Sequence, residues 1–162
     1  MTATVGALHI RPAVDADIAA MVEIERASFT DPWTPAAIAS TLRHEHMRVL
    51  VAEERGELGG DGAGRALGYV VAMTAGPEAE IADLAVSPAA RRRGIGRALI
   101  DRLLAELAAV GVIAVFLEVR ESNRAARALY ESRAFQSVGR RRGYYRCPVE
   151  DALLLKRELG PT

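Results

Sequence analysis

Between Ala79 and Ser132 the chain reads strand, helix, strand, helix, and that order constrains the fold more than any other feature. "AEIADLAV" (79–86) is β-rich, and a helix follows to about Val110 with Ile95, Leu99, Leu103 and Leu107 on one face. Arg102 and Glu106 form an exposed pair one turn apart on that helix. "VIAVFLEVR" (112–120) is a strongly apolar strand, and "ESNRAARALYES" is a helix to about Ser132, capped by Ser122 or Asn123. Hairpins flank this unit: "RVLVAEE" (48–54) with "ALGYVVAMTA" (66–75) before it, and the runs near "QSVGRRRGYY" and "ALLLKREL" after it. "HIRPA" (9–13) gives a first strand ended by Pro12. Asp15 or Asp17 then caps a helix to about Ser28, with Ile18, Met21, Val22 and Ile24 on its apolar face. Thr34 and Pro35 start the next helix as N-cap and first residue. This order predicts an α/β or α+β sheet with helices on both faces. The five glycines from Gly56 to Gly64 read as a flexible hairpin tip.

Composition narrows the function. A chain of 162 residues, half of them hydrophobic, fits one domain with its own core. A formal net charge of zero argues against a nucleic-acid partner, although Lys156 is the only lysine among many arginines. Cys147 is the only cysteine, so no intrachain disulfide forms. No signal-peptide pattern and no apolar run of membrane-spanning length is present. A soluble cytoplasmic protein without a membrane partner is expected.

The stretch "PAARRRGIGRAL" (88–99) admits three readings. A Rossmann fingerprint fails, because Leu99 stands where the third glycine belongs and "SPAARRR" separates the strand from the glycines. A nucleic-acid patch lacks interleaved aromatics and net positive charge. The third reading is a pyrophosphate cradle at a helix start. Backbone N–H groups freed at Gly94 and Gly96 point at the anion, and Arg91, Arg92, Arg93 and Arg97 surround it.

Here the sequence resembles a known family. "LAVSPAARRRGIGRALIDRLL" is similar to the acyl-CoA-binding motif of the GCN5-related N-acetyltransferases, Arg/Gln-x-x-Gly-x-Gly/Ala. "LEVRESNRAARALYESRAF", then "RRRGYY", with "DPW" at 31–33, resembles the ribosomal-protein-alanine N-acetyltransferases of the RimI type. The resemblance implies a central mixed, mostly antiparallel sheet, splayed at a bulge, with helices on both faces. It implies acetyl-CoA as cosubstrate, no metal, and a protein N-terminus, that of a ribosomal protein, as acceptor. A lysine side chain or a small amine is the alternative acceptor, and a non-catalytic acyl-CoA-binding domain the alternative class. One departure stands out: Arg133-Ala134-Phe135 replaces the family's Leu-Gly-Phe. Alanine at that helix end costs stability or forces another termination.

Site residues follow from both lines. Glu118 alternates with Val112, Ala114 and Phe116, so an ion there needs a partner. That partner could be Arg120 or Arg124 in a plain salt bridge; the resemblance makes Glu118 the general base. Tyr130 among "ALYES" reads as a core tyrosine, and the resemblance makes it the acid for the leaving thiolate. Asn123 is an N-cap that the resemblance also places on the pantetheine arm. Leu84, Ala85 and Val86 would meet the pantetheine through their backbone, with Ile95 inside the phosphate motif. Trp33, Tyr144 and Tyr145 are candidate acceptor walls. Arg140, Arg141 and Arg142 read as a solvated edge-strand face. His44, His46 and Cys147 lack partners for metal or nucleophilic chemistry.

Overall fold

A computed structural model describes residues 6–55 and 64–160. Most of the glycine-rich insertion therefore lies outside the described residues. The strands are β1 (Ala7–Pro12), β2 (Met47–Arg55), β3 (Arg65–Ala75), β4 (Glu78–Val86), β5 (Ala114–Arg120), β6 (Gln136–Arg146) and β7 (Val149–Glu158). The helices are α1 (Ile18–Ser28), α2 (Pro35–Arg43), α3 (Ile95–Ala109) and α4 (Arg124–Ser132). All seven strands join one sheet in the order β1-β2-β3-β4-β5-β7-β6. Only β4 and β5 run parallel, as the α3 crossover between them requires; every other pair is antiparallel.

Each face of the sheet carries its own apolar cluster. On one side α3 buries Ile95, Leu99, Ile100, Leu103, Leu104 and Leu107 against Val70, Ala79, Ile81, Val115 and Leu117. Each such side chain contributes roughly 1.5–3 kcal/mol, so the glycine loop ahead of α3 is held by a firmly anchored helix. On the other side Met21 and Ile24 of α1 and Ile38 of α2 pack on Val49, Val51, Tyr69, Val71 and Ala85. Thr34 caps α2 as expected, accepting from the Ala37 N–H at 3.1 Å. Asp17 does not cap α1 with its side chain. Its carboxylate accepts from the Val14 N–H and from both terminal nitrogens of Arg11, each at 2.8 Å, binding β1 to the turn before the helix.

The decisive irregularity is in β4. Ala72 pairs with Ile81 and Val71 with Asp83, so Ala82 is an extra residue. The bulge reverses the side-chain alternation. Ala79 and Ile81 face α3, whereas Ala85, of the same parity, faces α1. Beyond Ile81↔Leu117 the two parallel strands pair no further, although β4 runs on to Val86 and β5 to Arg120. The sheet opens there, and the resulting cleft is the expected splay.

The departure at residue 134 has a visible cost. After α4 the Phe135 N–H donates to the Tyr130 carbonyl and the Ala134 N–H to that of Glu131, both at 3.1 Å. Phe135 packs edge-on to Tyr130 at 5.6 Å between ring centroids, completing a Schellman termination. Ala134 sits at φ 64°, a conformation that favours glycine. The helix thus ends where glycine would end it, at the expense of alanine strain. Ala134→Gly is expected to raise stability by roughly 0.5–1 kcal/mol: about 1–2 of relieved strain less about 0.4–1 of extra unfolded-state entropy. A higher urea midpoint at unchanged m checks it.

Candidate acetyl-transfer site

The cleft is floored by β4 and β5 where they part. Glu118 is the first β5 residue past the last β4 pairing, on the α1 face of the sheet with Phe116. Its side chain is only 12 % exposed and accepts an ion pair from Arg141 Nε at 2.8 Å. The expected partners Arg120 and Arg124 do not fill that role. Arg120 turns to the β6–β7 end, donating to the Pro148 carbonyl at 3.0 Å and to Glu150 at 3.3 Å, with its guanidinium 4.3 Å from the Tyr145 ring centroid. In the row Arg140–Arg142 of β6, Arg140 pairs with Glu121 and Asp151, so two of the three arginines expected to be solvated are engaged.

Around Glu118 stand groups with linked charges. The neighbouring Glu118 carboxylate pushes the Tyr144 phenol above the ordinary tyrosine range. Tyr145 is pushed up to about 12 by burial and then by Glu118, and it meets Tyr144 edge-on at 5.1 Å. Glu80 of β4 is raised above the usual carboxylate range by desolvation and by the neighbouring Glu118. Two carboxylates and two phenols thus face one opening, an arrangement that attracts an amine and can take its proton.

Tyr130 lies on α4, near Asp83 of β4 and Tyr145 of β6. It is 6 % exposed within the α3-side cluster, and burial together with Asp83 and Tyr145 pushes its phenol well above the ordinary range. It therefore remains a proton donor throughout the neutral range. Asn123 caps α4, its side chain accepting from the Ala126 N–H at 3.1 Å.

The arginine–glycine loop precedes α3 as expected, with its features differently divided. Gly94 adopts φ 77° as the residue before the helix, and a Cβ there would meet nothing; its glycine serves conformation. Gly96 serves packing: a Cβ would lie 3.2 Å from Leu129 of α4. Arg92 is also left-handed at φ 64°, and alternating backbone turns of this kind form N–H concavities that suit phosphate oxygens. Arg91 braces the loop through the Val86 carbonyl and Ser28 Oγ, at 3.2 and 3.3 Å, while Arg93 pairs with Glu54 at 2.8 Å. Arg92 and Arg97 are exposed, and Ile95 is buried in the core. Leu84, Ala85 and Val86 pair with β3 on one edge, and their other edge borders the splay without a partner strand among the described residues.

Two segments wall the opening. Thr30 Oγ1, in the loop between α1 and α2, donates to the Cys147 carbonyl at 2.8 Å, tying that loop to the β6–β7 turn. Trp33 belongs to the same loop, is partly buried against the α1-side cluster, and donates its backbone N–H to Glu25 at 2.8 Å. Tyr144, half exposed, belongs to the strand on the opposite wall. His46 instead lines a separate cavity of about 300 Å³ with Leu42, Arg48 and Glu106, which no cleft residue borders.

Sequence reasoning missed Glu80, the pairing of Arg141 with Glu118, and a buried network of Glu25, Tyr69 and Asp83 beside the bulge. Tyr69 donates its hydroxyl to Glu25 and lies 3.3 Å from Asp83 Oδ2.

A seven-stranded sheet splayed at a β4 bulge, with a glycine loop opening the crossover helix, defines an acyl-CoA-dependent acetyltransferase architecture. Residues 18–135 match the Acetyltransferase (GNAT) family, and the chain belongs to it. Among its relatives, the N-alpha-acetyltransferase RimI of Mycobacterium tuberculosis is 40% identical over 99% of this chain and 98% of its own. The ribosomal protein bS18-alanine N-acetyltransferase of Escherichia coli K12 is 33% identical over 86% of this chain and 89% of its own. The crystal structure of the Escherichia coli ribosomal-protein-S18-alanine N-acetyltransferase superposes with a TM-score of 0.85 at 30% identity, covering 96% of both chains. No helix of the described residues is long and apolar enough to cross a membrane.

Proposed function

We propose that this protein transfers the acetyl group of acetyl-CoA to the N-terminal α-amino group of a protein, with an N-terminal alanine of a ribosomal protein as the expected acceptor. The observation that carries the reading is Glu118, largely buried and just past the point where β4 and β5 part, with Tyr130 of α4 near Asp83 on the β4 side of the same opening. The relatives named for N-terminal acetylation extend it to the acceptor class. A cytoplasmic location goes with such an acceptor.

The residues present fit the cosubstrate. The Arg91–Arg97 loop offers left-handed backbone turns and positive charge to a pyrophosphate, and the free edge of Leu84–Val86 offers main-chain bonds to an extended pantetheine. Acetyl-CoA supplies an activated thioester. The protein's part is to hold the amine in line with it and to move two protons. An α-ammonium, with a reference pKa near 8, needs less help than lysine near 10.4. Glu118 accepts the amine proton, the N–C bond forms as the C–S bond breaks, and Tyr130 gives its phenolic proton to the departing sulfur. Glu80 adds a second negative charge that favours the cationic form on arrival. Arg141 occupies Glu118 Oε1 and, being exposed, can swing away as the amine enters.

Thiol release from acetyl-CoA tests the reading with peptides bearing N-terminal Ala, N-terminal Ser or a blocked N-terminus, each also containing a lysine. Turnover is expected with the free N-termini, fastest for Ala, and absent with the blocked peptide. Equal rates on the blocked peptide would transfer the assignment to lysine, and no turnover on any peptide would leave only a binding domain.

A further inference from the structure

Behind the acceptor wall lies a polar group that the transfer chemistry does not use. Glu25 of α1 and Tyr69 of β3 are each 1 % exposed, in the apolar cluster of Met21, Ile24, Val71 and Ala85. Asp83 of β4 reaches them only because the Ala82 bulge turns it to this face. Glu25 uses one carboxylate oxygen for the Trp33 N–H and the other for the Tyr69 hydroxyl; Asp83 Oδ2 lies 3.3 Å from the same hydroxyl, and its carboxyl is a close neighbour of Glu25. The chain of contacts therefore runs from the strand edge that borders the acyl-CoA cleft, across the α1 face of the sheet, to the loop carrying Trp33.

We propose that Glu25, Tyr69 and Asp83 are positioning residues that lock the Trp33 loop to the β4 bulge and thereby set affinity for the acceptor rather than for acetyl-CoA. The inference rests on the reading of this cleft as the acceptor site.

The chemistry of the network supports the assignment. The groups facing Asp83 are Glu25 from α1, Tyr69 from β3, Tyr130 from α4 and the Leu84 N–H of its own strand; no cation stands among them. Two carboxylates in such a site repel one another when both are ionised, and the single Tyr69 hydroxyl proton cannot serve both. Burial first, and then Glu25, pushes Asp83 up to about 8. At neutral pH Asp83 keeps its proton and donates to Glu25, which leaves the other Glu25 oxygen to hold Trp33. The sign follows from a raised acid: the tie is present below its folded pKa and is lost as pH rises through about 8. Ionised Asp83 then faces Glu25 as a like charge, and the hold on Trp33 loosens.

The test is steady-state kinetics on whichever acceptor peptide the wild-type protein uses, α-amine or lysine, so a failure of the acceptor reading does not mask the result. Asp83→Asn keeps a donor toward Glu25 but cannot ionise; Asp83→Ala removes it. Asp83→Ala is expected to raise peptide KM roughly tenfold, as loss of a hydrogen bond to a charged group implies, with acetyl-CoA KM unchanged. Asp83→Asn should restore peptide KM near wild type at pH 7. The ratio of wild-type to Asp83→Asn peptide KM should climb above pH 8, the amine's own titration cancelling in the ratio. A ratio flat from pH 7 to 9.5, or equal changes in both KM values, overturns the proposal. Should Asp83→Ala fail to fold, the pH series on the other two proteins decides alone.

Discussion

Glu118→Gln is expected to lower kcat by about 100- to 10,000-fold, the range for loss of a positioned general base, while CoA binding persists. The substitution keeps the shape of a largely buried side chain. A glutamine oxygen can still accept from Arg141, so the β5–β6 contact that now runs through the ion pair survives without its charge. The Arg91–Arg97 loop lies ahead of α3, on a different element from Glu118, so under the proposed reading the cosubstrate should bind as before. A fall in kcat at unchanged CoA affinity places the lost interaction in the transition state. An unchanged kcat would remove Glu118 from the role and turn attention to Glu80, the other carboxylate at the opening, which burial and Glu118 hold above the usual carboxylate range. Saturating kinetics with the N-terminal alanine peptide, paired with CoA binding by calorimetry, separates these outcomes.

Much of this was legible because the chain uses local rules openly. Pro35 after Thr34, the apolar stripe of α3 and the alternation of β5 each fix an element within a residue or two of where it stands. The strand–helix–strand unit read in the sequence is the one whose crossover makes β4 and β5 parallel, and short connections make their neighbours antiparallel. What stayed hidden depends on long-range geometry. Before the bulge is known, Asp83 shares the parity of Ala79 and Ile81 and reads as facing α3; one extra residue at Ala82 sends it to α1. Glu25 did leave a trace, since it follows Ile18, Met21 and Val22 at the spacing of a core position, where a charge needs a partner. The partner, Tyr69, lies 44 residues away and has no local signature. Arg141 is similar. Three consecutive arginines look alike in sequence, and only the register of β6 on β7, with its irregularity between Arg141 and Tyr145, aims one of them at Glu118.

The second large effect is expected at Tyr130. Tyr130→Phe removes one hydroxyl and leaves the ring, so the edge-on packing with Phe135 and the Schellman end of α4 should survive, with little change in thermal stability. Turnover is expected to fall about 100-fold, as loss of a positioned acid implies. Because burial holds the phenol above the ordinary tyrosine range, wild-type turnover should show no alkaline limb from this residue across pH 7 to about 9. A structural role and an acid role part company when the leaving group is changed. A thiolate derived from a more acidic thiol needs no proton in order to leave, so the defect of Tyr130→Phe should shrink with an acetyl thioester of that kind, relative to wild type on the same donor. An equal defect on both donors would mean that the hydroxyl only holds the cleft in shape. A defect that nearly vanishes would place the phenolic proton on the sulfur in the transition state, and would account for a tyrosine hydroxyl in an otherwise apolar cluster.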